Sequence, residues 1–154
     1  MTRATSYLPT QIDRYQVVRA AAVLAAAGAF DATPTELYTG DFEFVTLYIT
    51  YTRGAAGGAV NWLLEVSPRT ADAAGVEDWF QTAILAGGAV AAGADTTSQT
   101  QREDIQYTST AAGAETFVYG PVELRGTVER IRVPCAESGA VGTPGTCHIV
   151  AVFS

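Results

Sequence analysis

Three kinds of side chain here have the chemistry for a reaction or a covalent bond: one histidine, two cysteines and a scatter of carboxylates. A hydrolytic triad would need His148 beside a nucleophile and an acid. It sits instead inside an apolar run, next to Ile149 and Val150, whereas catalytic groups concentrate on loops. Its expected place is a core or surface position with no part in turnover. Cys135 and Cys147 flank the segment AESGAVGTPGT. If that segment closes a hairpin about Val141, the two thiols face each other across a strand pair and a disulfide is within reach. Such a bond would add roughly 2–3 kcal/mol. The alternative is a pair of reduced, buried cysteines, as a reducing compartment would leave them. Cys147 and His148 are adjacent and would point to opposite faces of a strand, which argues against a shared metal. Asp41, Glu43, Asp72, Asp95 and the pairs Glu77-Asp78 and Glu103-Asp104 have no calcium-loop spacing. There is no glycine-rich phosphate loop leading into a helix. The expectation is a protein with no enzymatic activity, no cofactor and no metal.

The composition narrows the partners. The net charge is −7, and all nine basic residues are arginine. Nucleic-acid backbones call for a basic stripe, and none is present. An acidic chain is also repelled by anionic lipid surfaces. The expectation is therefore no nucleic acid and no membrane. Arginine without lysine suits planar, bidentate protein contacts and removes Schiff-base chemistry. With 48% apolar and 16% charged residues, 154 residues can bury the core of one domain. Residues 1–15 are polar and carry Arg3, Asp13 and Arg14. The apolar stretch 17–30 contains Arg19 and is too short to span a bilayer. Neither segment has the pattern of a secretory leader, so synthesis in the cytoplasm is expected.

The elements that would hold these residues are mostly strands. Residues 1–15 read as an extended arm, because Pro9 blocks a helix and Tyr7, Leu8 and Ile12 show no period. Those three residues are candidate contacts to a neighbouring subunit. Residues 16–30 are apolar on all sides; alanine favours a helix there, at most over 17–27, while a buried strand fits equally well. In residues 42–52, Val45, Leu47, Ile49 and Tyr51 alternate with Phe44, Thr46, Tyr48 and Thr50, the pattern of a half-buried strand. After the turn RGAAGG, Val60, Trp62, Leu64 and Val66 alternate again, which predicts a hairpin. Trp62 belongs to the core, whereas Trp79, beside acids, is the better candidate for an exposed contact residue. Residues 85–114 are rich in Ala, Gly, Ser and Thr, with strand character only near Ile105 and Tyr107. Gly120-Pro121 bends or ends a strand. Residues 147–153 are apolar on both faces, as a central strand would be. The whole reads as an all-β chain: an antiparallel β-sandwich or jelly roll over residues 16–154, behind the arm 1–15. The expected core is Val45, Leu47, Ile49, Trp62, Leu64, Val66, Ile131, Val133 and Ile149.

The run FVTLYITYTRGAAGGAVNWLLEVSP, followed by DWFQTAI, resembles short bacteriophage structural proteins, and RIRVPCAESGAVGTPGTCHIVAVFS is similar to their closing hairpin. The resemblance covers about half the chain. It implies a virion protein of the head decoration, cement or minor tail type. Such a protein works without catalysis, as a homo-oligomer or against other virion proteins such as the major capsid protein. A competing expectation from the same β-sandwich is a carbohydrate- or receptor-binding module of a tail fibre or adhesin, which would need aromatics exposed on loops.

Overall fold

Burial settles the alternation of residues 44–52. Val45, Leu47, Ile49 and Tyr51 are fully buried, while Tyr48 between them is exposed. The same period recurs along the chain in a computed structural model, which describes residues 14–25, 28–72, 79–81, 105–124, 128–138 and 142–154. In chain order the strands are β1 (Tyr15–Val23), β2 (Glu36–Tyr38), β3 (Phe44–Thr52), β4 (Ala59–Trp62), β5 (Glu65–Ser67), β6 (Phe80–Gln81), β7 (Ile105–Thr108), β8 (Glu115–Glu123), β9 (Arg130–Arg132), β10 (Cys135–Ser138) and β11 (Thr146–Phe153). Every pairing is antiparallel.

The first layer has the order β1-β11-β3-β8. The second consists of β10-β4-β7 and β2-β9-β5-β6, two pieces of one sheet. Pairing runs in a single register from Ala59↔Ser138 to Trp62↔Cys135, and resumes in the same register from Glu65↔Arg132 to Ser67↔Arg130. The break falls at Pro134, which has no N–H to give a ladder; its carbonyl still accepts from the Leu63 amide at 3.1 Å. The pairing is nested. The first strand pairs with the last, β2 with β9, β3 with β8, and the β4–β5 ribbon with β6 and β7. A long antiparallel hairpin rolled up in this way is a jelly roll. The fold is thus the all-β sandwich that the periodicity implies.

Between the layers lies one apolar core. It contains every expected core residue, with Val66 only partly buried at its rim. Trp62 of the second layer meets Tyr119 of the first edge-to-face at 4.7 Å.

The order of strands corrects three expectations. No helix forms over 17–23: β1 is a strand laddered to β11, because tertiary pairing outweighs the helix preference of alanine. Nor is it buried on all sides. It is an edge strand, and Ala20, Ala21, Ala22 and Val23 are exposed. Strands β3 and β4 do not form a hairpin. Both edges of β3 are taken by β11 and β8, so residues 53–58 arch from one layer to the other. The connection from β10 to β11 is a second arch, not a hairpin. The arches touch: a Cβ on Gly54 would lie 2.2 Å from the Thr143 carbonyl, and one on Gly145 would lie 2.5 Å from that of Thr52. Only glycine fits at either place.

Candidate functional site

On the outer face of the first layer, register lines up one row of apolar side chains across all its strands. Val17 pairs with Val150, Val150 with Tyr48, and Tyr48 with Val118. Val17, Tyr48 and Val118 are 46%, 42% and 57% exposed, while Val150 is buried between its neighbours. Tyr15, 60% exposed, and its partner Val152 extend the patch. The adjacent row is His148–Thr50–Thr116, in which the two threonine hydroxyls hydrogen-bond at 2.8 Å. His148 therefore faces outward beside hydroxyls, with no carboxylate in its row to complete a triad. Between these rows the face has no formal charge. Contiguous exposed apolar surface on a sheet marks a contact face.

The outer face of the second layer is built differently. Arg130, 2% exposed, donates to Glu36 (2.5 Å) and Asp72 (2.7 Å) and, through Nε, to the Arg69 carbonyl (2.6 Å). Arg132 pairs with Glu65 at 2.5 Å. The Trp79 ring lies over both guanidinium groups, 4.7 Å from that of Arg130 and 4.2 Å from that of Arg132. This is a cation–π lid on an ion-pair ladder. Trp79 is half-buried, and its indole nitrogen is buried without a hydrogen-bond partner. It is therefore not the exposed aromatic that its acidic neighbours suggested. The lid keeps water from the charges, and Glu65 and Ser67 are buried with them.

A third polar group sits where the arches meet. Glu137, 1% exposed, accepts from the Tyr51 hydroxyl at 2.7 Å and from the Gly145 amide at 3.2 Å. Burial, then the bond to Glu137, pushes the Tyr51 phenol well above its ordinary range. At the β7–β8 turn, Glu115 accepts from the Ser109 and Thr110 hydroxyls and from the Thr110 amide. The Ser109 bond leads in holding its carboxyl below the usual range. Beside β1, a small open depression is lined by Arg19, Asp31, Pro34 and Val133. Arg19 is spent on a bidentate pair with Asp31 (2.9 and 3.1 Å). Among the described residues, no group of three His, Cys, Asp or Glu side chains is placed to hold a metal, and no helix is long and apolar enough to cross a membrane.

Of the residues singled out from sequence, Tyr7, Leu8 and Ile12 lie outside the described residues, as does nearly all of the arm 1–15. Cys135 and Cys147 are brought together, both buried and both free, but across the two layers and not across a hairpin. The apolar row was missed because Val17, Val118 and Val150 are far apart in sequence; only Tyr48, on the second face of β3, signalled it. Compared with known proteins, the chain matches no family model, no curated protein and no solved structure.

Proposed function

We propose that this chain is a non-enzymatic structural protein of a virus particle, a capsid decoration or cement protein that stabilises subunit junctions through protein–protein contacts. The observation that carries the reading is the uncharged apolar row Val17–Val150–Tyr48–Val118 on a chain of net charge −7. Covering each exposed side chain of the row would be worth up to about 1.5–3 kcal/mol, enough for a few such contacts to hold a subunit in place. The jelly roll adds support by analogy alone: capsid proteins use it, but so do lectins and cupins. Against the carbohydrate-binding alternative stands Trp79, whose ring face is occupied by Arg130 and Arg132 and is closed to a sugar. The partners in this reading are further copies of the chain and other virion proteins such as the major capsid protein.

Solution mass, measured by light scattering with and without the particle's other proteins, tests the proposal. The wild-type chain should self-associate or join the shell, and Tyr48→Asp should do neither while keeping its β-rich circular dichroism. Unchanged association of the Tyr48→Asp variant would sink it, as would a wild-type chain that stays monomeric and unbound in both settings.

A further inference from the structure

The two cysteines belong to different layers, and the contacts around them fix both backbones. Cys135 lies in β10, laddered to β4 opposite Trp62. Cys147 lies in β11, between β1 and β3, opposite Ala22 and Tyr51. One ion pair spans the two residues. The Cys135 amide donates to Asp31 Oδ2 at 3.1 Å, Asp31 binds Arg19, and Arg19 Nη1 donates to the Cys147 carbonyl at 2.6 Å. The Asp31 amide returns a bond to the Cys135 carbonyl at 3.0 Å. A second tie lies two residues along β10: Glu137 binds Tyr51, which stands opposite Cys147. The thiols themselves are hydrogen-bonded to each other, and each residue is at most 1% exposed.

We propose that Cys135 and Cys147 form a preassembled dithiol that a small oxidant closes into a disulfide joining the two layers. No strand has to be rebuilt, because both cysteines already sit in paired, buried backbone. In the reaction, one sulfur takes up an oxygen atom from hydrogen peroxide to give a sulfenic acid and releases water. The second sulfur then displaces that oxygen as a second water and forms the S–S bond. Two thiols and one peroxide thus give one disulfide and two waters. The bond to Cys147, followed by burial, holds the Cys135 thiol well above its ordinary range. The pair is therefore slow to react in its resting state and resists bulky disulfide reagents more than it resists peroxide. The inference is independent of the virion reading, although a staple that forms only in oxidising surroundings would suit a particle that leaves the cell.

The test uses the folded full-length chain with dilute hydrogen peroxide, read by intact mass and by thiol counting in denaturant. The expected product is a monomer lighter by two hydrogen atoms, with no titratable thiol. Its melting temperature should rise by roughly 5–10 °C and fall back on reduction. Cys147→Ser should show neither the mass loss nor the rise. Should that variant fold poorly, the wild-type mass and melting shift decide alone. Two thiols still titratable after treatment would overturn the proposal. So would disulfide-linked dimers on a non-reducing gel, or a monomeric disulfide that melts no higher than the dithiol.

Discussion

The two outer faces of this sandwich answer the same problem in opposite ways. Each sheet buries one face in the shared core and must do something with the other. The second layer closes its outer face with its own chain: Arg130 and Arg132 neutralise Glu36, Asp72 and Glu65, and Trp79 lies over the guanidinium groups. The first layer leaves its outer face bare, with Val17, Tyr48 and Val118 exposed in one row. Polar groups are thus shielded where apolar ones are open to water, the reverse of what a solitary soluble domain needs. The closed face serves the stability of the chain itself. The open one offers surface whose burial requires another molecule.

Substitutions can separate the two roles. The largest loss of stability should come from Arg130→Ala, because truncation strips the ladder of its central cation and leaves Glu36 and Asp72 without their partner. We expect about 2–4 kcal/mol, somewhat under the range for a fully buried pair because both carboxylates reach water. Urea denaturation measures it, and a change under 1 kcal/mol would mean that the second face is held by something other than its ion pairs. Trp79→Ala should follow with about 1–2 kcal/mol, through loss of the cation–π lid and wetting of the charges. On the open face, Tyr48→Ser and Val118→Ser should each shift stability by only about 0.5 kcal/mol or less while abolishing association. If either unfolds the chain as readily as Trp79→Ala, the contrast between the faces fails.

The smallest effect lies at the β7–β8 turn. The Glu115 carboxyl is held below its usual range in the folded state, so its contribution is present above the ordinary carboxylate range. It is lost as pH falls through the lowered folded value. Amide exchange at Thr110 and Ala111 should therefore quicken only in acid, and Glu115→Gln should remove that dependence.

The core was readable because alternation is local. Val45, Leu47 and Ile49 declare a buried face without reference to any other strand, and they are buried. Strand partners were not readable in the same way. The turn RGAAGG looks like a hairpin loop, and whether it pairs its flanking strands or arches between layers is decided by what competes for the edges of β3, strands nearly 70 and 100 residues further along. The same holds for Cys135 and Cys147: their meeting was legible from spacing, their placement on facing sheets was not. The apolar run 16–30 misled through its composition, since an edge strand that awaits a partner looks like a buried one. Arg130 gave no signal at all, because its burial depends on Trp79, about fifty positions earlier.

The nested pairing also sets a timetable for the newborn chain. Strand β1 leaves the ribosome early, yet its ladder partner β11 begins only at Thr146. At about 5–20 residues per second, roughly 6–25 seconds pass before the edge carrying Val17 and Val23 has anything to pair with. During that interval an exposed apolar strand waits beside other nascent copies on the same message, and domains dominated by such distant contacts also fold slowly once complete. A translational pause before residue 146 would lengthen the exposure and raise the yield of aggregates, whereas a holdase that shields β1 in that window would lower it.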